Sequence, residues 1–194
     1  MKIIGLTGGI GMGKSTAAAV FRRAHIPVFD ADAAVHDLQG AGGEALPAIE
    51  AAFPGTVTNA TLDRAALRAA VLARPEALKL LEGIVHPMVR ARERAAIARA
   101  RRAGARAMVL DIPLLLETGR RKLDLVVVVS APSAVQIDRV ARRRRMDRGQ
   151  IAAIIARQMP DAAKRKRADI VVHTGLSRFH ALRTLRRLIL ELRT

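Results

Sequence analysis

The chain has 194 residues, enough for one α/β domain with insertions; 51% are hydrophobic and only 2% aromatic, so any core must be built from Ala, Leu, Ile and Val. It holds no cysteine, which excludes a disulfide framework and a thiolate metal site, and its longest apolar runs, such as 125–129, fall far short of a membrane span. The formal net charge of +17 suits a polyanionic ligand, but the basic residues are spread along the whole chain with neither Tyr nor Trp to stack on bases, so nucleic acid is not expected as the main partner.

The predicted elements alternate strand and helix, as a parallel sheet with crossover helices does. A strand over Lys2–Leu6 leads through a Gly-rich turn into a helix over Lys14–Ala24. A short strand, Ile26–Asp30, ends in a carboxylate. Residues 33–103 then form a long helical insertion punctuated by turn signals at 40–43, 54–55 and 75, too much chain for one crossover. Strands follow at Arg106–Asp111 and Leu123–Ser130, the latter a continuous β-branched run of the kind buried on both faces. Residues 134–167 are helical and rich in Arg, in the position of a mobile lid. A fifth strand over Ala168–Val172 and a helix over Ser177–Leu192, with Leu182, Leu185, Leu188, Ile189 and Leu192 as its apolar stripe, complete the chain. The first strand starts at residue 2, so no signal peptide is expected and the location follows as cytoplasmic.

The turn after the first strand reads Gly8-Gly9-Ile10-Gly11-Met12-Gly13-Lys14-Ser15, followed by Thr16, and satisfies G-x-x-x-x-G-K-[ST] without adjustment. In such a loop successive backbone N–H groups point inward at a phosphate, and the following helix adds its positive dipole end. Lys14 reaches the β- and γ-phosphates, and the Ser15 hydroxyl ligates Mg²⁺. The chain is therefore expected to bind ATP with Mg²⁺. The expected fold class is α/β: a P-loop NTPase-type three-layer sandwich with a five-stranded parallel sheet. Its core would be 1–32, 104–133 and 168–194, with the helical insertion at 33–103 and the lid at 134–167.

The guanine-specifying N-K-x-D is absent, and so is the Asp-Glu strand end of large ATPase motors. A strand ending in Asp30-Ala31-Asp32 soon after the loop suits a small kinase with an acceptor subdomain inserted after strand two. There one carboxylate would accept the proton of an attacking hydroxyl while another holds water on Mg²⁺. Spacing alone leaves an alternative open, in which Asp32 caps a helix beginning near Ala33. Asp111, at a strand end, is a candidate for the Mg²⁺-linked carboxylate beside Ser15.

Several segments occur together in a telling order: Gly8–Ser15, Asp30-Ala31-Asp32, then 81–87 (LEGIVHP), then 111–117 (DIPLLLE). After them come Gln136-x-x-Arg139-x-x-x-Arg143, the segment 156–160 (ARQMP) and the segment 164–169 (KRKRAD). Essentially the whole chain resembles the dephospho-CoA kinase family. The resemblance implies transfer of phosphate from ATP to the ribose 3′-hydroxyl of dephospho-CoA, by a monomer or small homo-oligomer with no membrane role. It implies Asp32 as the base, Asp30 as its metal-side partner, and Lys14, Arg139 and Arg143 as cations on the transferred phosphoryl group. It further implies acceptor contacts from Asp32, Arg64, Asp111, Leu114 and the His86-Pro87 pair, with Pro87 opening the helix after a break. Two departures stand out. Where many relatives carry Arg-Asp, this chain runs Arg142-Arg143-Arg144-Arg145-Met146, which leaves the register of the catalytic Arg open within 142–145. His173-Thr174-Gly175 also stands in place of an Asn-containing turn. The rivals are another small-molecule kinase of nucleotide or shikimate type and an Arg-rich nucleic-acid-binding ATPase.

Overall fold

β1 (Lys2–Thr7), α1 (Lys14–Arg23) and β2 (Val28–Asp30) open the chain in a computed structural model that describes residues 1–72, 74–119, 122–144, 146–175 and 177–193. Next come α2 (Ala31–Leu38), α3 (Leu46–Ala52), β3 (Val57–Thr58), β4 (Thr61–Leu62), α4 (Arg64–Leu72) and α5 (Pro75–Arg102). The rest is β5 (Ala107–Asp111), β6 (Leu125–Ser130), α6 (Ser133–Arg144), α7 (Arg148–Ala156), α8 (Asp161–Lys166), β7 (Ile170–His173) and α9 (Arg178–Arg193). The chain divides into two units, one of residues 1–30 with 99–194, the other of residues 31–98.

The first unit is built on a five-stranded parallel sheet in the order β2-β5-β1-β6-β7. Ile4, Leu6, Val109, Val127, Val128 and Val129 are fully buried in it, which is what a sheet covered on both faces demands of its central strands. Ala17, Ala18 and Phe21 of α1 share one core with Ala181, Leu185, Leu188, Ile189 and Leu192 of α9. Small residues and the single aromatic Phe21 on α1 thus seal the same face as the helical-period stripe on α9. Two strands begin later than their hydrophobic runs suggest. Asp124 accepts the N–H of Ile3 at 2.6 Å and Asp169 accepts that of Val126 at 2.7 Å, so side-chain carboxylates finish the ladder at its N-terminal edge.

In the second unit, β3 and β4 pair antiparallel around Asn59 and Ala60, both in the left-handed region at φ 49° and 54°. That is the backbone of a two-residue hairpin turn. Glu50 braces it by accepting the N–H groups of Gly55 and Val57 at 2.7 Å each, bonds that hold its carboxyl below the usual range. Asp63 caps α4, accepting from the N–H groups of Ala65 and Ala66 at 2.9 Å each. The sequence pattern suggests only short helices here, with a break at His86-Pro87; the structure corrects this. α5 is one helix of 28 residues with Pro87 inside it. Pro87 forfeits the N–H bond to Gly83, and the helix runs on through the weak formers Gly83, Ile84 and Val85 because the good formers of 76–82 and the Arg- and Ala-rich turns of 90–102 lie beyond them. Pro75, at the first position, is the proline that starts a helix. No helix of the described residues is long and apolar enough to cross a membrane.

Candidate active site

β1 lies between β5 and β6, and the segment 8–13 leaves its C-terminal end where the strand order reverses, the place ligands take in open α/β sheets. Gly11 and Gly13 hold φ of 73° and 96°, which a side chain would strain. Gly13 is the N-cap of α1, its carbonyl accepting the N–H groups of Thr16 and Ala17 at 3.1 and 3.2 Å. The positive end of α1 therefore opens onto the loop, with Ser15 and Thr16 exposed in its first turn. The loop is fastened from several sides. Thr174 Oγ1 donates to the Met12 carbonyl at 2.7 Å, and the N–H of Ala131 meets Met12 Sδ at 3.0 Å. Gln136 donates to the Ile10 carbonyl at 2.8 Å and Gln158 accepts the Ile10 N–H at 3.1 Å.

Lys14 reaches Asp111, Nζ to Oδ1 at 2.5 Å, from a side chain 16% exposed to one only 3% exposed. Asp111 ends β5 directly in register with Asp30, which ends β2. Two carboxylates thus stand side by side at the C-terminal edge of the sheet, with Arg22 Nη2 3.4 Å from Asp30 Oδ2. Burial raises the Asp111 carboxyl above its ordinary value; the Lys14 ammonium opposes that rise and the Asp30 charge adds to it. A carboxylate so placed gains from a second cation. Asp32 is exposed in the first turn of α2, which begins at Ala31. The alternative in which Asp32 caps a helix beginning near Ala33 is corrected accordingly: Asp32 lies within the helix and is not its cap.

Arg139 points at the turn after β7, donating to Thr174 Oγ1 at 3.0 Å and to the Thr174 carbonyl at 2.8 Å. It lines a cavity of about 300 Å³ with Gly13, Thr16, Val20, Thr174 and Leu182. Arg142 pairs with Asp138 at 3.1 Å on the exposed side of α6. Arg143 lies on α6, but its side chain, that of Arg144 and the whole of Arg145 fall outside the described residues. Thr174, in the 173–175 turn that stands in place of an Asn-containing one, is a site residue to which the sequence alone assigns no contact. Its only signal was position, immediately after the last strand of the sheet.

A dephospho-CoA kinase family model matches residues 2–177 of the chain. Among curated relatives, the dephospho-CoA kinase of Gluconobacter oxydans is 52% identical over 198 residues, covering 100% of this chain and 98% of its own. The chain belongs to the dephospho-CoA kinase family. Another relative so named, from Bradyrhizobium diazoefficiens, is 56% identical over 90% of this chain and 87% of its own. The crystal structure of TT1252 from Thermus thermophilus superposes with a TM-score of 0.85 at 36% identity, over 100% and 98% of the two chains. A dephospho-CoA kinase from Campylobacter jejuni shares the fold, with a TM-score of 0.74 at 24% identity over 99% and 98%.

The remaining residues matched to the family lie as follows. Arg64, at the start of α4, sits 3.2 Å from His36 Nδ1 of α2, both side chains exposed. His86 and Pro87 are exposed in the middle of α5. Leu114, three residues past β5, is 42% exposed, whereas its neighbour Leu115 is buried. Among the described residues no group of three or more His, Cys, Asp or Glu side chains could hold a metal ion on its own.

Proposed function

We propose that the chain transfers the γ-phosphoryl group of ATP to the ribose 3′-hydroxyl of dephospho-CoA, giving coenzyme A. One observation supports the donor half most strongly: the phosphate loop sets Lys14 against Asp111, with Asp30 in register beside it. Family membership supports the acceptor.

The triphosphate lies against the N–H groups of 8–16, and Lys14 exchanges Asp111 for the β- and γ-phosphate oxygens. This exchange releases the buried Asp111 carboxylate. The residues present fit a magnesium ion: an exposed hydroxyl at Ser15, and two adjacent carboxylates whose mutual repulsion favours a cation. Ser15 would hold Mg²⁺ directly and Asp111 would hold it through water. Bound there, the ion supplies charge neutralisation on the phosphates. Asp32 accepts the proton of the 3′-hydroxyl, Asp30 acts on the metal side, and Arg139 and Arg143 stabilise charge on the transferred group. The cavity at Thr16, Arg139 and Leu182 takes the nucleoside end of ATP. Arg64, His86, Pro87, Leu114 and Asp111 contribute to acceptor binding. The reading implies a cytoplasmic enzyme, a monomer or small homo-oligomer, with no nucleic-acid partner.

The test is coenzyme A formation by purified protein given ATP, Mg²⁺ and dephospho-CoA. Lys14→Ala and Asp32→Asn are expected to abolish turnover. No product from the unmodified protein would overturn the function, and near-normal turnover by Asp32→Asn would overturn the base assignment alone.

A further inference from the structure

The backbone of Ile10, in the middle of the phosphate loop, is held at both of its polar groups, the N–H in the 9–10 peptide and the carbonyl in the 10–11 peptide. Its N–H donates to Gln158 Oε1 at 3.1 Å, and its carbonyl accepts from Gln136 Nε2 at 2.8 Å. Gln136 lies in the first turn of α6 and is only 4% exposed; Gln158 follows the last turn of α7. The two amides thus stand at the beginning and the end of one Arg-rich helical excursion, and both converge on the backbone of one residue, each on a different one of its flanking peptides.

The loop's own composition fits this seat. A Cβ at position 9 would lie 3.2 Å from both Gln136 Nε2 and Gln158 Oε1, and one at position 11 would lie 2.9 Å from the Gln136 carbonyl. Glycine at 9 and 11 therefore leaves room for the glutamines as well as for phosphate. Gln158 is itself braced. The N–H of the next residue, Met159, donates to Glu117 Oε1 at 3.1 Å, and Lys164 Nζ stands 2.7 Å from the same oxygen, buried to 1% exposure.

We infer that Gln136 and Gln158 are positioning residues for ATP binding: they fix the orientation of the two peptides that flank Ile10, so that the loop meets the triphosphate already in its binding shape. The chemistry at the two positions is opposite, since 136 must donate and 158 must accept. An unheld peptide would be free to turn, and ATP binding would then have to restore its orientation. The inference rests on the nucleotide site proposed above and is independent of the acceptor's identity.

The test compares Gln136→Glu with Gln158→Glu, using calorimetric titration of the full chain with Mg·ATP and no acceptor. Both variants add the same charge near the triphosphate. A glutamate at 158 still accepts the Ile10 N–H, whereas one at 136 faces the Ile10 carbonyl with no proton to give. ATP affinity is expected to fall about tenfold further in Gln136→Glu than in Gln158→Glu, the scale of one lost hydrogen bond. Gln136→Leu and Gln158→Leu, which carry no new charge, are each expected to raise Kd and KM for ATP about tenfold. Their KM for dephospho-CoA should stay unchanged. Equal losses in the two Glu variants would overturn the inference. So would Leu variants that melt earlier yet bind ATP with unchanged affinity. Failure of the unmodified chain to make coenzyme A while it still binds ATP would overturn the proposed acceptor and leave this inference standing.

Discussion

Lys164→Met isolates the worth of the buried ion pair that braces the segment carrying Gln158. Methionine keeps most of the apolar stem in a site where Lys164 is 1% exposed, so the change removes the ammonium and little packing. It leaves the Glu117 carboxylate, 19% exposed, with its Oε1 on the Met159 N–H and its Oε2 buried without a hydrogen bond among the described residues. Removing one member of a buried pair typically costs about 3–5 kcal/mol, because the partner charge stays desolvated. The residual exposure of Glu117 puts this case near the lower end, about 3 kcal/mol. For a chain of this length that corresponds to a fall of roughly 6–12 °C in Tm. Lys164→Ala also deletes three buried methylenes, at about 0.8 kcal/mol each, and should cost about 2 kcal/mol more. The double variant Lys164→Met/Glu117→Gln removes both charges together, keeps an oxygen for the Met159 N–H and should recover most of the loss. Scanning calorimetry at pH 7.5 and matched protein concentration reads all three. A Lys164→Met variant melting within 2 °C of the unmodified chain, or a double variant no better than the single, would refute the reasoning.

Asp111→Asn tests the acidic edge through pH. Burial raises this carboxyl in the folded chain above its ordinary value of 3.8, so the folded state binds more protons than the unfolded one just above that pH. The Asp111 contribution to stability is thus full below 3.8 and is lost as pH rises through the folded value. Urea midpoints between pH 4 and 7 should show Asp111→Asn gaining on the unmodified chain as pH rises; a difference constant with pH would refute the shift. Ala60→Gly relieves a left-handed alanine at φ 54° in the β3–β4 turn, which costs about 1–2 kcal/mol, against about 0.4–1 kcal/mol of added unfolded-chain entropy. A net gain of about 0.5–1 kcal/mol in chemical denaturation is expected, and a loss would contradict the turn geometry.

Most of the first unit was legible from its residues, because its signals are local. The phosphate loop, the apolar run of β6 and the α9 stripe each announce an element within a dozen positions. The order of the strands is supplied by the structure, since a right-handed crossover fixes the hand of a connection and not which side of β1 the next strand joins. The second unit was read less well. Its 28-residue helix hides behind Pro87, since a proline signals a break locally while its cost is set by the whole helix. The β3–β4 hairpin rests on two left-handed residues, of which Ala60 carries no turn signal, and on a glutamate seven positions before Val57. A side chain that bonds the backbone of a turn follows no apolar period, so the sequence pattern carries no sign of it.

The same limit explains what was missed at the nucleotide site. Gln136, Gln158 and Thr174 are 126, 148 and 162 positions from the loop residues they bond, so no local pattern assigns them a role. Gln136 and Gln158 could be quoted as parts of a family pattern, but without contacts they had no chemistry. The fold supplies the contacts: it brings both ends of the 134–158 excursion back to the backbone of one residue. The consequence reaches the motif itself. In G-x-x-x-x-G-K-[ST] the intervening positions are written as free, yet here Ile10 is held by its backbone, Gly11 by its positive φ and its fit against α6, and Met12 by a 3%-exposed side chain whose sulfur meets the Ala131 N–H. Substitution at these positions should therefore act on ATP binding through the loop's supports, even where no side chain touches a phosphate.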